Sequence, residues 1–324
     1  MARVFSGIQP SGDLHLGNYL GALRRFVAEQ HESDSVFCIV DLHALTLPHD
    51  AGALPGRTLA AAAMYLAAGL EPDVCTLFVQ SHVHEHAELA WLMECNTAYG
   101  ELGRMTQFKD KAGRGEFISA ALFTYPALMA ADILLYDTDR VPVGDDQRQH
   151  LELARDVAER FNTRFGPTFV VPNAAIGKVG ARIMDLQNPT AKMSKSVSSP
   201  QGTVLMLDPP KEIEKKIKRA VTDTETEVRF DVDAKPGVSN LLSILSACTG
   251  EDPVALADRY TQYGPLKADA AAAVIEALAP VQARYAELVA DEAGLKQVLA
   301  AGAAKASSIA SVTMQRARAA VGLL

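Results

Sequence analysis

The feature that most restricts the fold is an alternation of short apolar runs with helix-like segments over the first hundred residues. Arg3–Gly7 is short and apolar and ends in glycine, as an edge or first strand would, and Val36–Val40 is typical of a buried parallel strand. Thr76–Gln80 is predicted to be another strand. Helical patterns lie between and after them, most clearly in Arg57–Gly69 and Glu85–Tyr99. This order predicts an α/β domain in which ligands bind at the carboxyl ends of the strands.

The pattern changes near residue 188. The elements predicted before that point are a long helix containing Pro126 (Phe117–Asp137), a short strand (Val141–Gly144), a charged helix (Asp146–Phe161) and a last strand candidate (Phe169–Val171). The helical patterns predicted after it are Pro209–Val221, Ser239–Cys248, Pro253–Tyr260 and a near-continuous pattern from Leu266 to Val321. We therefore predict a catalytic domain over 1–188, a linker over 189–207 and an α-helical domain over 208–324. Whether the last helix stays within that domain or packs back on the first one is left open by the pattern.

Composition restricts the class of protein further. The 324 residues are 48% apolar and 22% charged, as in ordinary globular proteins, and the net charge of −8 argues against a wholly basic nucleic-acid surface while permitting local basic patches. The four cysteines form no C-x-x-C pair, so buried, reduced thiols are expected rather than a metal site. The sequence begins without a signal peptide and has no apolar run of membrane-spanning length, which predicts a cytoplasmic protein.

A turn from Pro10 to Asn18 separates the first predicted strand from the first helix. A helix N-terminus presents unpaired N–H groups and a partial positive charge, which suits a triphosphate. Gly17 permits a close approach to the backbone, and His15 and Asn18 can donate hydrogen bonds to phosphate oxygens. A simple helix cap is the alternative interpretation of the same residues.

The second constellation is Lys192–Ser196 (KMSKS), which follows Asn188-Pro189-Thr190 and is therefore predicted to be a loop. Two lysines and two hydroxyls can neutralise the charge that develops on a departing pyrophosphate, and a loop can act as a gate. Taken alone, the segment is also compatible with a solvated basic linker. The sequence has no G-x-x-x-x-G-K-[ST] phosphate loop, and no G-x-G-x-x-G opens the first helix.

In this order and at this separation, the two constellations resemble the signature pair of class I aminoacyl-tRNA synthetases, and the chain is similar to bacterial tryptophanyl-tRNA synthetases over essentially 1–324. The stretches that carry the resemblance are Phe5–Asn18, Phe37–Ala44, Glu101–Lys111, Tyr125–Tyr136, Val141–His150, Val179–Met184, Lys192–Ser196, Thr222-Asp223 and Pro236–Leu242. The resemblance implies a Rossmann-like parallel sheet with helices on both faces, then an α-helical domain that binds the tRNA anticodon.

The resemblance also implies a tryptophan pocket. Tyr125, Met129 and Asp132 are spaced i, i+4, i+7 and share one helix face, and Asp132 would accept the indole N–H. Apolar members of the set are also compatible with ordinary core, but an unpaired carboxylate in an apolar run is costly. The implied tryptophan-binding residues are Phe5, Gly7, Gln9, His43, Tyr125, Met129, Asp132, Ile133, Val143 and Gln147.

An ATP site is implied in the same way. The implied ATP-binding residues are Gln9, Pro10, Ser11, Gly17, Asn18, Gly144, Asp145, Asp146, Ile183, Lys192, Met193, Ser194, Lys195 and Ser196. The implied catalytic residues are His15, Asn18, Lys111, Lys192 and Lys195, although a solvated surface position accounts equally well for Lys111. No residue is assigned to a protein-held metal, since Mg²⁺ would arrive on ATP.

The implied reaction is attack of the tryptophan carboxylate on the α-phosphorus of ATP, then transfer of the tryptophanyl group to tRNA(Trp) by a homodimer. A tyrosine-specific relative, a non-catalytic paralogue that senses tryptophan, and a small-molecule adenylyltransferase are the competing interpretations. Asp132 favours tryptophan over tyrosine, the two intact motifs argue against the paralogue, and the helical C-terminal half argues against the adenylyltransferase.

Two charged or titratable stretches are expected to lie on the surface. His82, His84 and His86 alternate at a strand-to-helix turn and are predicted to be solvent-exposed rather than metal ligands. Lys211–Arg219 carries five basic and two acidic residues, and either a solvated helix face or a contact with tRNA phosphates accounts for it.

Overall fold

The structure is a computed structural model that describes residues 1–10, 12, 14–106, 108, 118–142, 147–175, 182–194 and 199–323. Its strands are β1 (Arg3–Ile8), β2 (Asp34–Ile39), β3 (Thr76–Val79), β4 (Arg140–Pro142) and β5 (Asn173–Ala175). The helices up to β5 are α1 (Leu16–Asn18), α2 (Arg24–Glu29), α3 (Asp41–Ala44), α4 (Leu54–Ala67), α5 (Glu85–Glu94), α6 (Tyr99–Arg104), α7 (Ala120–Leu134) and α8 (Arg148–Phe165). The helices after β5 are α9 (Pro210–Lys218), α10 (Pro236–Thr249), α11 (Pro253–Ala257), α12 (Tyr263–Ala290) and α13 (Glu292–Val321).

The five strands form one parallel sheet in the order β3-β2-β1-β4-β5, which confirms the predicted α/β fold. The chain moves outward from β1 to β3 on one side and from β4 to β5 on the other. The segments that leave β1 and β4 therefore diverge at neighbouring strands. In open α/β sheets such a point creates a crevice outside the carboxyl ends of the strands, where ligands bind.

Successive side chains of the central strands point to opposite faces of the sheet and belong to two separate hydrophobic cores. In β2, Phe37 and Ile39 pack with α1, α2, α4 and the C-terminal helices α10 and α12. Val36 and Cys38 face the other way and pack with α5, α7, α8 and α13. From Val36 onward, β2 is buried on both faces and apolar at every position, which explains why this run was recognisable in the sequence.

The C-terminal helix α13 packs against β3, the edge strand of the sheet. Gly302 makes this possible, because a Cβ at that position would overlap the carbonyl oxygen of Leu77. Arg316 pairs with Asp137 at 2.5 Å, so the helix is also bound to the sheet domain by charge. Covering an edge strand with a helix removes a row of unpaired backbone groups from solvent.

The predicted last strand is wrong. Phe169 packs its ring on Phe161 at 4.8 Å, and its backbone N–H and C=O bond to the side chain of Asn162 in α8. The fifth strand is instead Asn173–Ala175, which pairs with Arg140–Pro142. The apolar run is thus held by a helix side chain, while three small or polar residues form the edge strand.

The other predicted helices are present, with two departures from the expected bounds. The predicted helix Glu85–Tyr99 ends at Glu94, and Tyr99 begins the separate helix α6. The near-continuous pattern after Leu266 forms two helices, α12 and α13, which meet at Asp291. The side chain of Asp291 accepts the N–H of Gly294 and so caps α13. Within the described ranges, none of the helices has the length and apolar character needed to cross a bilayer.

Candidate active site

A cavity of about 340 Å³ opens at the carboxyl ends of β1 and β4. This volume lies at the lower end of the range found for small-molecule sites, about 300–1,000 Å³. Its predicted members are Phe5, Gly7, Gln9, His43, Tyr125, Met129, Asp132, Ile133 and Gln147. Four lining residues were not predicted from the sequence, namely Ser6, Val40, Val141 and Pro142. The sheet thus brings together every predicted tryptophan contact within the described residues.

Three donors surround the carboxylate of Asp132, which is 2% exposed. Nε2 of His43 lies 2.8 Å from Oδ2, while Nε2 of Gln80 and Nδ1 of His86 lie 2.6 and 2.7 Å from Oδ1. Burial raises the pKa of Asp132, but the hydrogen bonds from His43 and His86 lower it more, so its pKa falls well below the usual range. The carboxylate is therefore charged and can accept a further N–H.

His86 corrects the expectation of solvent-exposed histidines. His82 and His84 are exposed, but His86 is fully buried between Asp132 and the hydroxyl of Tyr136, which lies 2.7 Å from Nε2. Burial raises the pKa of Tyr136, so its hydroxyl stays protonated. Sequence reasoning missed Gln80, His86 and Tyr136. The signal for them was indirect, because a carboxylate inside an apolar helix requires buried donors.

Tyr125 lines the cavity from the same helix as Asp132. Its hydroxyl lies 2.6 Å from Nε2 of His150, which is buried in α8. Its ring makes an edge contact with His43, with ring centroids 6.2 Å apart. Burial raises the pKa of Tyr125 to about 12, so the hydroxyl is neutral at physiological pH and can serve as donor or acceptor.

His15 and Asn18 form a reciprocal cap at the first turn of α1. Oδ1 of Asn18 accepts the N–H of His15 at 3.1 Å, and Nδ1 of His15 accepts the N–H of Asn18 at 3.3 Å. Because Nδ1 acts as the acceptor, the neutral ring carries its proton on Nε2. Burial and the nearby charge of Lys192 lower the pKa of His15 to about 4. His15 therefore offers a neutral N–H donor.

Ile183 and Met193 join the lysine segment to this turn. Met193 is buried and donates its N–H to the carbonyl of Ile183 at 3.1 Å. A Cβ on Gly17 would lie 3.7 Å from Cβ of Ile183. Lys192 is exposed and lies close enough to His15 to affect its pKa. The turn and the start of the K-M-S-K-S segment thus share one site.

Residues 204–206, which follow the K-M-S-K-S segment, pair with the turn that contains His15. Leu16 donates to the carbonyl of Val204 at 2.8 Å, and Met206 donates to that of Leu14 at 2.9 Å. Lys216 of α9 holds this segment, with Nζ 2.9 Å from the carbonyl of Thr203 and 2.6 Å from Oδ2 of Asp208.

Lys216 therefore departs from the expected solvated face of the run 211–219, since its side chain is buried. Lys215 and Lys218 pair with acidic neighbours on the exposed side, as a solvated helix predicts.

The other predicted ATP residues divide into those that the structure describes and those that lie outside the described residues. Gln9 and Pro10 follow β1 directly, with Gln9 exposed and Pro10 buried, and Ser194 is half-buried after Met193. The predicted site residues outside the described residues are Ser11, Lys111, Val143, Gly144, Asp145, Asp146, Lys195 and Ser196.

Comparisons with known proteins agree with one another. The model of the family "tRNA synthetases class I (W and Y)" matches residues 1–279. A tryptophan–tRNA ligase of Caldanaerobacter subterraneus subsp. tengcongensis is 54% identical over 326 residues, covering 100% of this chain and 99% of the relative.

Two solved structures are similar over their full length. Tryptophanyl-tRNA synthetase from Mycoplasma pneumoniae has a TM-score of 0.92 at 36% identity and covers 100% of this chain and 98% of that one. The Campylobacter jejuni enzyme complexed with ADP and tryptophan has a TM-score of 0.87 at 37% identity, with 99% and 100% covered.

A parallel sheet with the His15 turn at its switch point, and with Lys192 and Met193 beside that turn, agrees with the family match, which makes the chain a class I aminoacyl-tRNA synthetase. The chain belongs to the tryptophan and tyrosine family of that class. The resemblance to bacterial tryptophanyl-tRNA synthetases is thereby confirmed.

Proposed function

We propose that this chain is a tryptophan–tRNA ligase. It activates L-tryptophan with ATP to tryptophanyl-adenylate and pyrophosphate, and it transfers the tryptophanyl group to the 3′-terminal adenosine of tRNA(Trp). The observation that carries the choice of amino acid is the charged carboxylate of Asp132, buried at the wall of a largely apolar cavity. An indole ring has one polar atom, its N–H, and a buried acceptor rejects rings that cannot donate there.

The rest of the cavity suits the other parts of tryptophan. Phe5, Met129 and Ile133 provide apolar surface for the indole, with Val143 proposed to complete that wall. Tyr125 and Gln147 offer polar groups at the cavity wall for the amino group of the substrate. Gly7, Gln9 and His43 complete the proposed tryptophan set.

Activation proceeds by attack of a carboxylate oxygen of tryptophan on the α-phosphorus of ATP. The bond between that phosphorus and the bridging oxygen breaks, and pyrophosphate leaves. Nε2–H of His15 donates to a phosphate oxygen, and Asn18 and Lys192 stabilise the charge that develops. Lys195 and Lys111 are proposed to act on the departing pyrophosphate. Mg²⁺ carried by ATP supplies further charge neutralisation on the phosphates.

The nucleotide is proposed to lie across the turn after β1 and the residues that follow β4 in the sequence. Gly17 and the N-terminus of α1 face the phosphates, Ile183 holds the adenine, and Gly144 and Asp146 are proposed to hold the ribose. The remaining proposed contacts are Gln9, Pro10, Ser11, Asp145, Met193, Ser194 and Ser196. The Campylobacter jejuni relative was crystallised in complex with ADP and tryptophan, which supports the proposal that this chain binds a nucleotide and tryptophan.

In the second step, the 2′-hydroxyl of the terminal tRNA adenosine attacks the tryptophanyl carbonyl and AMP leaves. We assign residues 1–188 to catalysis, 189–207 to the K-M-S-K-S loop and linker, and 208–324 to binding of the tRNA anticodon. The proposed activity serves protein synthesis and belongs in the cytoplasm.

A homodimer is part of this proposal. Trp91 and Tyr99 are 65% and 81% exposed, large values for aromatic side chains. The ring of Tyr99 contacts Phe123 of α7, with the ring centroids 5.1 Å apart. Exposed aromatic side chains are enriched at protein interfaces, and a second copy of the chain is the proposed occupant. Sedimentation should give a dimer that Tyr99→Glu converts to a monomer.

Exchange of labelled pyrophosphate into ATP tests the assignment directly. The purified protein should catalyse exchange that depends on L-tryptophan and is not driven by L-tyrosine. Equal exchange with tyrosine, or none with tryptophan, would contradict the proposed function.

A further inference from the structure

The two oxygens of the Asp132 carboxylate have different surroundings. Oδ1 receives Gln80 at 2.6 Å and His86 at 2.7 Å, neither of which lines the cavity. Among the described side chains, Oδ2 receives only His43, at 2.8 Å, and His43 does line the cavity. A carboxylate oxygen has about two lone-pair sites. Oδ1 is therefore saturated, whereas Oδ2 has one site left on the side of the ligand.

Gln80 is itself held at its other end. Oε1 accepts the N–H of Leu42 at 3.1 Å, which assigns the amide orientation and directs Nε2 toward Asp132. Gln80 follows β3 directly in a short 3₁₀ turn and is fully buried. Its position is thus set by the sheet rather than by a mobile loop.

His86 is held in the same manner by Tyr136. A carboxylate can only accept, so Nδ1 of His86 carries the proton that points at Oδ1. Nε2 faces the hydroxyl of Tyr136 at 2.7 Å, and the rings of Phe78 and Tyr136 pack against the imidazole. Both His86 and Tyr136 have no exposed surface. The hydroxyl therefore holds the imidazole in the orientation that directs Nδ1–H toward Asp132.

We propose that Gln80, His86 and Tyr136 are positioning residues that hold Oδ1 of Asp132 and so leave Oδ2 to accept the indole N–H. This inference rests on the proposed function. A carboxylate fixed at one oxygen needs no reorganisation when tryptophan binds, and it cannot turn away when a ring without a donor enters. Selection against such a ring then depends on these three residues, although the proposed ligand contacts none of them.

The test compares two substrates that differ at one position. In 3-(3-benzothienyl)-L-alanine a sulfur replaces the indole N–H while the ring shape is kept. We would measure kcat/KM for both amino acids by pyrophosphate exchange in the wild type, His86→Leu, His86→Asn and Tyr136→Phe. Thr138→Val is the matched control, because Thr138 is buried near Tyr136 and its hydroxyl donates to Ile133 at 2.6 Å rather than to Asp132.

The wild type should prefer tryptophan on the order of 10⁴-fold, as sites built around a substrate N–H do. His86→Leu should lower that preference by about 100-fold, because it removes a buried hydrogen bond to a charged group, and Tyr136→Phe by about 10-fold, because the bond that it removes is to His86 and not to the carboxylate. The loss should appear in kcat/KM for tryptophan and not for the analogue, with KM for ATP unchanged. His86→Asn, which keeps a donor near the position of Nδ1, should retain more of the preference than His86→Leu.

A purely structural role would lower activity toward both amino acids equally, as Thr138→Val is expected to do. The inference is overturned if Tyr136→Phe and the soluble His86 variants keep the wild-type preference for tryptophan over the analogue. A wild type that shows no exchange with tryptophan would instead contradict the proposed function, so the two failures are distinct. Should His86→Leu fail to fold, His86→Asn and Tyr136→Phe carry the comparison.

Discussion

Nδ1 of His15 accepts the backbone N–H of Asn18 at 3.3 Å, and Oδ1 of Asn18 accepts the N–H of His15 at 3.1 Å. This reciprocal pair makes one histidine both a helix cap and a neutral donor, because the ring nitrogen that caps the helix cannot also carry the proton. The sequence left a helix cap and a phosphate site as alternatives. The geometry makes them compatible, with Nδ1 serving the helix and Nε2–H available to a ligand.

The first prediction concerns the titration of His15. Burial and Lys192 lower its pKa from 6.5 to about 4 in the folded protein. The unfolded chain therefore binds the proton more tightly, so the stability that neutral His15 contributes is present above pH 6.5 and is lost as pH falls toward 4. Side-chain ¹⁵N spectra should show a neutral ring protonated on Nε2 at pH 6, with a midpoint near pH 4.

The control for this titration is His15→Gln, in which the assigned signal should vanish. The variant should also lose less stability than the wild type between pH 6.5 and 4. A midpoint near 6.5, or a ring protonated on Nδ1, would contradict the capping geometry.

The second prediction separates the two roles of Asn18. Asn18→Asp keeps an oxygen that accepts from His15 N–H, so thermal stability should be close to wild type. Asn18→Ala removes that acceptor and should cost about 1 kcal/mol of unfolding free energy. Both variants should lower the rate of exchange, by about 100-fold or more, since neither presents the amide donor to ATP. Equal stability in the two variants would argue against the cap, and normal exchange in Asn18→Asp would argue against the phosphate contact.

Elements whose residue pattern is set by their own burial could be predicted from the sequence. Strand β2 is buried on both faces, so its apolar run identified it. Strand β5 has no such pattern, since Asn173–Ala175 is held at the edge of the sheet by pairing with β4 and by a hydrogen bond from Arg155 to Asn173.

In the site too, residues that belong to one element were predicted, whereas residues whose position depends on a partner elsewhere in the chain were not. Tyr125, Met129 and Asp132 share one helix face and were predicted together. His86 was not, because its burial depends on Asp132, which lies 46 positions away along the chain. An alternating histidine pattern at a turn carries no information about a partner that only tertiary packing supplies.

The third prediction tests the close approach of α13 to β3. A methyl group on Gly302 would overlap the carbonyl oxygen of Leu77, which is backbone and cannot move aside without displacing the strand or helix. Gly302→Ala should therefore destabilise the fold by about 1–3 kcal/mol or more, the range found for overpacked interiors.

Gly56→Ala in α4 is the control, because a Cβ there meets no atom within 4 Å. That variant should gain about 0.5–1 kcal/mol from reduced backbone freedom. Denaturant unfolding of both proteins measures the difference, and a neutral Gly302→Ala would show that α13 is not tightly packed.

The fourth prediction concerns Lys216, whose Nζ bonds to Asp208 at 2.6 Å and to the carbonyl of Thr203 at 2.9 Å. Lys216→Met leaves a buried carboxylate without its counter-charge, which typically costs about 3–5 kcal/mol. Since the segment 203–206 pairs with the His15 turn, the variant should also lower the rate of exchange at temperatures where it remains folded.

Lys215→Met is the matched control on the same helix. Lys215 pairs with Glu212 at 3.2 Å on the exposed face, and such pairs contribute only about 0–1 kcal/mol. Its unfolding midpoint and exchange rate should stay close to wild type. Equal effects of the two substitutions would show that the buried ion pair does not hold the segment beside the phosphate turn. A loss of stability in Lys216→Met with a fully normal exchange rate would limit the pair to a structural role.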